Sequence, residues 1–145
     1  MKRIQAGFTL VELLVVIGIL AVLTAVVLVA VNPGRQFAQA RDTQRRADVN
    51  TVSAAVIAYI ADPNNTGDRT LVGLGIETLC TAGSHTIGSG TGELDLAATL
   101  APVYVAALPV EPSNGAYTVC VNDAASNRFT VSATPELATQ ISVTR

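Results

Sequence analysis

Charge is nearly absent from residues 4–34 of this sequence, where Glu12 is the one ionisable side chain. Groups that carry chemistry are also sparse elsewhere. There is a single histidine, His85, and two cysteines, Cys80 and Cys120. His85 stands between Ser84 and Thr86 with no second histidine and only one cysteine nearby, which argues against a zinc set. No glycine-rich phosphate loop, no Cys–His pair in a catalytic context and no identifiable carboxylate pair in an apolar pocket is present, so the chain reads as a non-enzyme. Basic residues number 9 against 11 acidic ones, for a formal charge of −2. That balance lacks the basic surface nucleic acid demands. Repeats and low-complexity tracts are missing as well.

What is present is one long apolar run. Residues 8–31 read FTLVELLVVIGILAVLTAVVLVAV, interrupted only by Thr9, Glu12, Gly18 and Thr24. At about 1.5 Å per residue these positions make a helix of roughly 36 Å. That is sufficient to cross a bilayer core of about 30 Å with some tilt. A carboxylate near the start of such a helix costs about 2.5–3.5 kcal/mol on insertion scales, so Glu12 marks a function or has a partner. Ahead of the run lies Met1-Lys2-Arg3-Ile4-Gln5-Ala6-Gly7, a short basic leader with no apolar region of its own. A secretory signal places its apolar stretch before the small-residue cleavage point. Here Gly7 precedes the stretch, and cutting after it would leave the helix on the mature chain with a new amine on Phe8. Lys2 and Arg3 place the leader on the cytoplasmic side and the remainder beyond the membrane.

The string Gly7-Phe8-Thr9-Leu10-Val11-Glu12 with the run behind it resembles the processing site of bacterial type IV prepilins and type II secretion pseudopilins. The resemblance implies that a prepilin peptidase cuts after Gly7, that the Phe8 amine is N-methylated, and that Glu12 serves filament assembly. It implies a long N-terminal helix, half transmembrane and half amphipathic, packed on a small antiparallel sheet. It also names partners: other copies of the chain, the prepilin peptidase, an inner-membrane assembly platform, and lipid before assembly. The chain would be a single-pass inner-membrane protein first and then part of an extracellular or periplasmic filament.

Beyond the run, Val31-Asn32-Pro33-Gly34 predicts a kink or a locally melted turn, with a plain helix stop as the alternative. Residues 35–62 turn amphipathic, with Ala38, Arg41, Arg45, Val49, Val52, Val56 and Ile60 on one side of a helix. Arg41, Arg45 and Arg46 form a cluster that reads as a solvated face with Arg–Asp pairs at helical spacing; anionic lipid or DNA is the alternative. Asp62-Pro63-Asn64-Asn65-Thr66-Gly67 stops the helix. Residues 68–92 form a connector rich in Gly, Ser and Thr, with room for one short strand or helical turn. Residues 94–108 read as a short helix ending before Pro102 and then an extended piece, and residues 108–115 as a loop. Strands are expected at 116–121, 128–133 and 140–143, forming a three-stranded antiparallel meander closed on one face by the Val49–Ile60 stripe.

Cys80 and Cys120 both lie beyond the membrane, where an even count favours one disulfide; two separately buried thiols are the alternative. The approach to the sheet, with Tyr104, Leu108-Pro109 and a carboxylate-Pro turn, looks like that of major pseudopilins, whose corresponding region can bind calcium. Glu111, Asn114 and Asp123 are the candidate oxygens, although Glu stands here where Asp is usual and calcium needs six to eight ligands. Polar turn chemistry is the plainer reading of these three, and no cofactor is otherwise expected.

The expectation is therefore an α+β, pilin-like chain. Residues 1–7 form a cleaved leader, 8–31 a transmembrane and filament-core helix, 32–62 its amphipathic continuation, and 63–145 an exported head. Its function would be that of a structural subunit of a type IV pilus or pilus-like filament, a fibre for adhesion, twitching or DNA uptake. A major pseudopilin of a type II secretion system is the alternative. A monomeric signal-anchored binding protein is more remote.

Overall fold

The computed structural model describes residues 7–137 and 139–145. Helix α1 spans Leu10–Ala30 (21 residues, about 32 Å) and every one of its residues is solvent-exposed in the isolated chain. The Thr24 hydroxyl is satisfied by the Leu20 carbonyl, so the middle of this apolar helix leaves no side-chain donor unpaired. Val31 and Asn32 are not helical, and α2 begins at Pro33 and continues through Ala61. Proline at the first helical position has no need of its missing N–H. The Asn32 carboxamide oxygen accepts from the Arg35 amide, as an N-cap does. The expected local break is thus a two-residue interruption with a capped restart. The chain divides between Phe37 and Ala38, within α2, into two compact units.

In the second unit, α2 buries Ala38, Asp42, Arg45, Val49, Val52, Ser53, Ala55, Val56 and Tyr59. Ala38, Arg45, Val49, Val52 and Val56 are on the stripe the sequence predicts. Ile60 is only partly buried, Arg41 stays half-exposed, and Asp42 was not expected inside.

The sheet has four antiparallel strands in the order β1-β2-β3-β4: β1 His85–Ile87, β2 Tyr117–Asp123, β3 Arg128–Ala133 and β4 Ile141–Thr144. Three come from the predicted stretches. The fourth, β1, is the short strand for which the connector had room, and it pairs His85, Thr86 and Ile87 with Val119, Thr118 and Tyr117. Alternation sorts the two faces of the sheet. Tyr117, Val119, Val121, Phe129, Val131, Ala133 and Ile141 turn inward against Val49, Val52, Val56 and Tyr59. On the other face the Thr118 and Ser132 hydroxyls meet at 2.8 Å, and those of Thr130 and Thr144 at 2.7 Å.

The connector supplies more core than its composition suggests. A 3₁₀ turn at Val72–Leu74 ends on Gly75 in the left-handed region (φ 75°), and Leu71, Leu74 and Ile76 are buried around it. Helix α3 is a single turn, Ala97–Leu100, whose first N–H groups at Ala97 and Ala98 donate to Asp95. It stops before Pro102, as expected.

Candidate functional site

Two groups of residues depart from what a small globular domain needs. The first is the start of α1. Thr9 is in extended backbone (φ −81°, ψ 149°) and its hydroxyl accepts from the Glu12 amide at 3.2 Å. The Glu12 carboxylate accepts in return from the Thr9 amide at 2.9 Å and from the Thr9 hydroxyl at 2.8 Å. This is a reciprocal capping box, which satisfies otherwise orphaned donors at a helix start. Glu12 therefore has a partner in the isolated chain, Thr9, which lies one residue beyond Phe8. The pattern Thr-x-x-Glu was available in the sequence as a cap signature, and reading Glu12 only as a membrane charge missed it.

Gly7 and Phe8 precede the first helical residue, and Phe8 is 92% exposed. A Cβ built at Gly7 would meet nothing within 4 Å. The described residues around Gly7 thus give no steric reason for glycine there. The leader's basic residues, Lys2 and Arg3, lie outside the described residues.

The second group is an ion-pair network inside the head. Arg45 is 2% exposed. Its guanidinium donates to Asp42 (2.7 Å), to Glu111, to the Ser113 hydroxyl (3.0 Å) and to Glu136 (2.9 Å). Glu136 also receives Arg41. The Asp42 carboxylate further accepts the amides of Glu136 and Leu137, both at 2.9 Å. Burial alone would lower the Arg45 pKa, but the bonds to Glu136, Glu111 and Asp42 outweigh it and hold the guanidinium charged. Burial would likewise raise Glu111, yet the amides of Gly115 and Ser113 and the Arg45 charge bring it below the ordinary carboxylate range. Arg41 first, and then Arg45, hold Glu136 down at about 2. The cluster thus corrects the solvated-face reading and its lipid or DNA alternative at Arg45. The Asp–Arg pair at helical spacing exists, but it is buried because the segments around 111–115 and 134–137 close over it.

Glu111 and Asn114 share one loop, whereas Asp123 closes the far end of β2, about 20 Å along the strand from Tyr117. Asp123 is engaged there by the Ala125 amide and the Ser126 hydroxyl. The three calcium candidates are not brought together, and Arg45 already holds Glu111. The His85 imidazole shares a hydrogen bond with the Thr78 hydroxyl at 2.8 Å. Cys80 and Cys120 are joined as a disulfide, which pins the connector to the outer face of β2.

Against known proteins, the prokaryotic N-terminal methylation motif matches residues 2–28. No curated protein and no solved structure matches the chain. The apolar helix and the motif fit a membrane-anchored precursor, and the motif points to a structural protein. Over residues 2–28, which include the greater part of α1, the chain carries the N-terminal methylation motif that is the hallmark of type IV pilin and pseudopilin prepilins.

Proposed function

We propose that this chain is a structural subunit of a type IV pilus or pilus-like filament. The observation that carries the reading is α1, a helix of 21 residues with none of them buried in its own chain. In lipid such a surface is satisfied; outside lipid it needs copies of itself. The Gly7–Phe8 bond precedes the helix, so prepilin peptidase can cut there without unwinding it, and the new Phe8 amine is then N-methylated. On polymerisation the apolar helices exchange lipid for one another and form the filament core. Dispersion, close fit and interhelical hydrogen bonding drive such an exchange, since lipid tails are as apolar as leucine.

Glu12 enters that core with its charge. An uncompensated buried carboxylate is very costly. The capping box supplies one compensation within the chain, and the Phe8 amine of an adjacent subunit supplies the opposite charge. A pair of this kind sets axial register more than it adds net stability.

The test is intact mass and N-terminal sequencing of the protein extracted from membranes of its own host. A chain beginning at N-methylated Phe8 supports the reading, and a chain still beginning at Met1 beside active prepilin peptidase defeats it. A second reading, a major pseudopilin, draws on the Leu108-Pro109 and Glu111-Pro112 approach to the sheet. Surface fibres in electron micrographs favour the pilus; their absence together with an exoprotein secretion defect favours the pseudopilus.

A further inference from the structure

The two edges of the sheet are unlike. On the β1 side the edge is covered, because the Leu94 amide donates to Thr86 and the Gly88 amide to the Leu94 carbonyl. The covering loop, residues 88–95, carries Glu93 and Asp95, and Glu77 joins the same side just before Thr78 lies along Val121. All three acids are exposed, and none is in an ion pair among the described residues. Gly92 leaves the backbone of this loop open, whereas the Glu93 carboxylate lies against Gly88 and Gly90 and accepts the Gly90 amide at 2.8 Å.

On the β4 side the edge is bare. Phe129 and Arg145 exchange both backbone hydrogen bonds, and the register continues through Val131 with Val143 and Ala133 with Ile141. Antiparallel alternation then points the N–H and C=O of Ser142 and Thr144 outward. Among the described residues no strand pairs with them. Ile141-Ser142-Val143-Thr144 contains no proline, charge or bulge, the devices that guard an edge. Arg46 and Asn50 of α2 line a groove along residues 140–143. Arg46 is exposed and in no ion pair among the described residues.

We infer that the β4 edge with Arg46 docks the acidic 88–95 loop edge of a second copy of this chain. The outward main-chain groups of Ser142 and Thr144 meet the loop at Gly92, and Arg46 meets the exposed carboxylates of Glu93 and Glu77. The two surfaces differ and lie on opposite edges of one sheet, so the contact is heterologous, the type that a filament repeats without closing. This rests on the filament reading and assigns the partner faces of the heads within it. Charge complementarity there serves register and exclusion of wrong alignments more than affinity.

The experiment uses the full chain in its host, comparing sheared filament with processed subunit left in the membrane. Arg46→Glu is expected to lower filament yield by about tenfold, and Glu77→Arg with Glu93→Arg to do the same. Combining all three restores yield to within a few-fold of wild type. Ser142→Pro removes an outward amide without touching the bonds to β3, and it too is expected to lower yield while the head stays folded. Retention of the tyrosine circular dichroism and of the Cys80–Cys120 bridge checks folding in each variant. Normal filaments from Arg46→Glu, or no recovery in the triple variant, overturn the docking. Wild-type chain that is processed but never polymerises overturns the filament reading itself, before any variant is made.

Discussion

The guanidinium of Arg45 is bonded to the carboxylate of Glu111 across 66 residues of sequence, and both groups are buried. This one relationship ties α2 to the loop that leads into β2. Through Glu136 and Asp42 it ties the approach to β4 as well. Removing one partner of a buried pair leaves the other charge without compensation. Arg45→Met is expected to cost about 3 kcal/mol, near the low end for buried pairs because Glu136 reaches water. Tyr59, Tyr104 and Tyr117 are the chain's 3 tyrosines and all lie in the second unit, Ala38–Arg145. Denaturation followed by their near-ultraviolet circular dichroism therefore reports this loss without interference from α1.

Acid should loosen the same latch. Glu136 titrates at about 2 in the folded chain against an ordinary value of 4.5, and Glu111 is also lowered. A carboxylate with a depressed folded pKa binds fewer protons folded than unfolded, so its stabilisation is complete above about pH 4.5 and is lost as pH falls towards 2. The denaturation midpoint is expected to decline across that window. Glu136→Gln should flatten part of the decline while lowering the midpoint at neutral pH. A variant whose acid profile matches wild type would contradict the assignment.

Reducing the disulfide should weaken the head without dismantling the helices. Cys80 and Cys120 close a loop of 40 residues, which corresponds to about 2–4 kcal/mol. Reductant, or Cys80→Ser with Cys120→Ser, should lower the melting temperature of the tyrosine signal. The connector should become the first site of proteolysis. Equal melting of oxidised and reduced chains would show that the bridge does not constrain the connector.

Thr9 and Glu12 separate capping from assembly. Thr9→Ala removes one half of the reciprocal cap and should cost about 1 kcal/mol of helix stability. It should leave Gly7 cleavable and filaments forming. Glu12→Ala is expected to insert and be processed yet to yield few filaments, because it loses the charge as well as the cap. Glu12→Gln keeps an acceptor for the Thr9 amide without the charge. Full filament yield from Glu12→Gln would mean that the cap alone is what assembly requires.

Residues 7–31 were legible because their signal is local. An uninterrupted apolar run, one carboxylate and a glycine before it need no tertiary contact to be read. The strands at 116–121, 128–133 and 140–143 were equally legible, since alternation and turn residues mark them within a few positions. Strand β1 was weaker, with three residues in a Gly- and Ser-rich connector whose extended form is held by Val119, Thr118 and Tyr117. Arg45 was misread because nothing within a turn of it says that it is buried. Its cover comes from Glu111, Ser113 and Glu136, more than sixty residues away.

The sequence by itself determined that this chain has an apolar helix it cannot bury, a short basic stretch ahead of it and a small α+β head. Periodicity and hydrophobicity act over neighbouring residues, and composition carries them directly. Only the tertiary structure decided that an arginine lies at the head's centre of charge, that the connector supplies an edge strand, and that one sheet edge is covered and acidic while the other is bare. Those outcomes depend on which distant segments meet. Pairing and burial energies are set there by partners that local pattern does not contain.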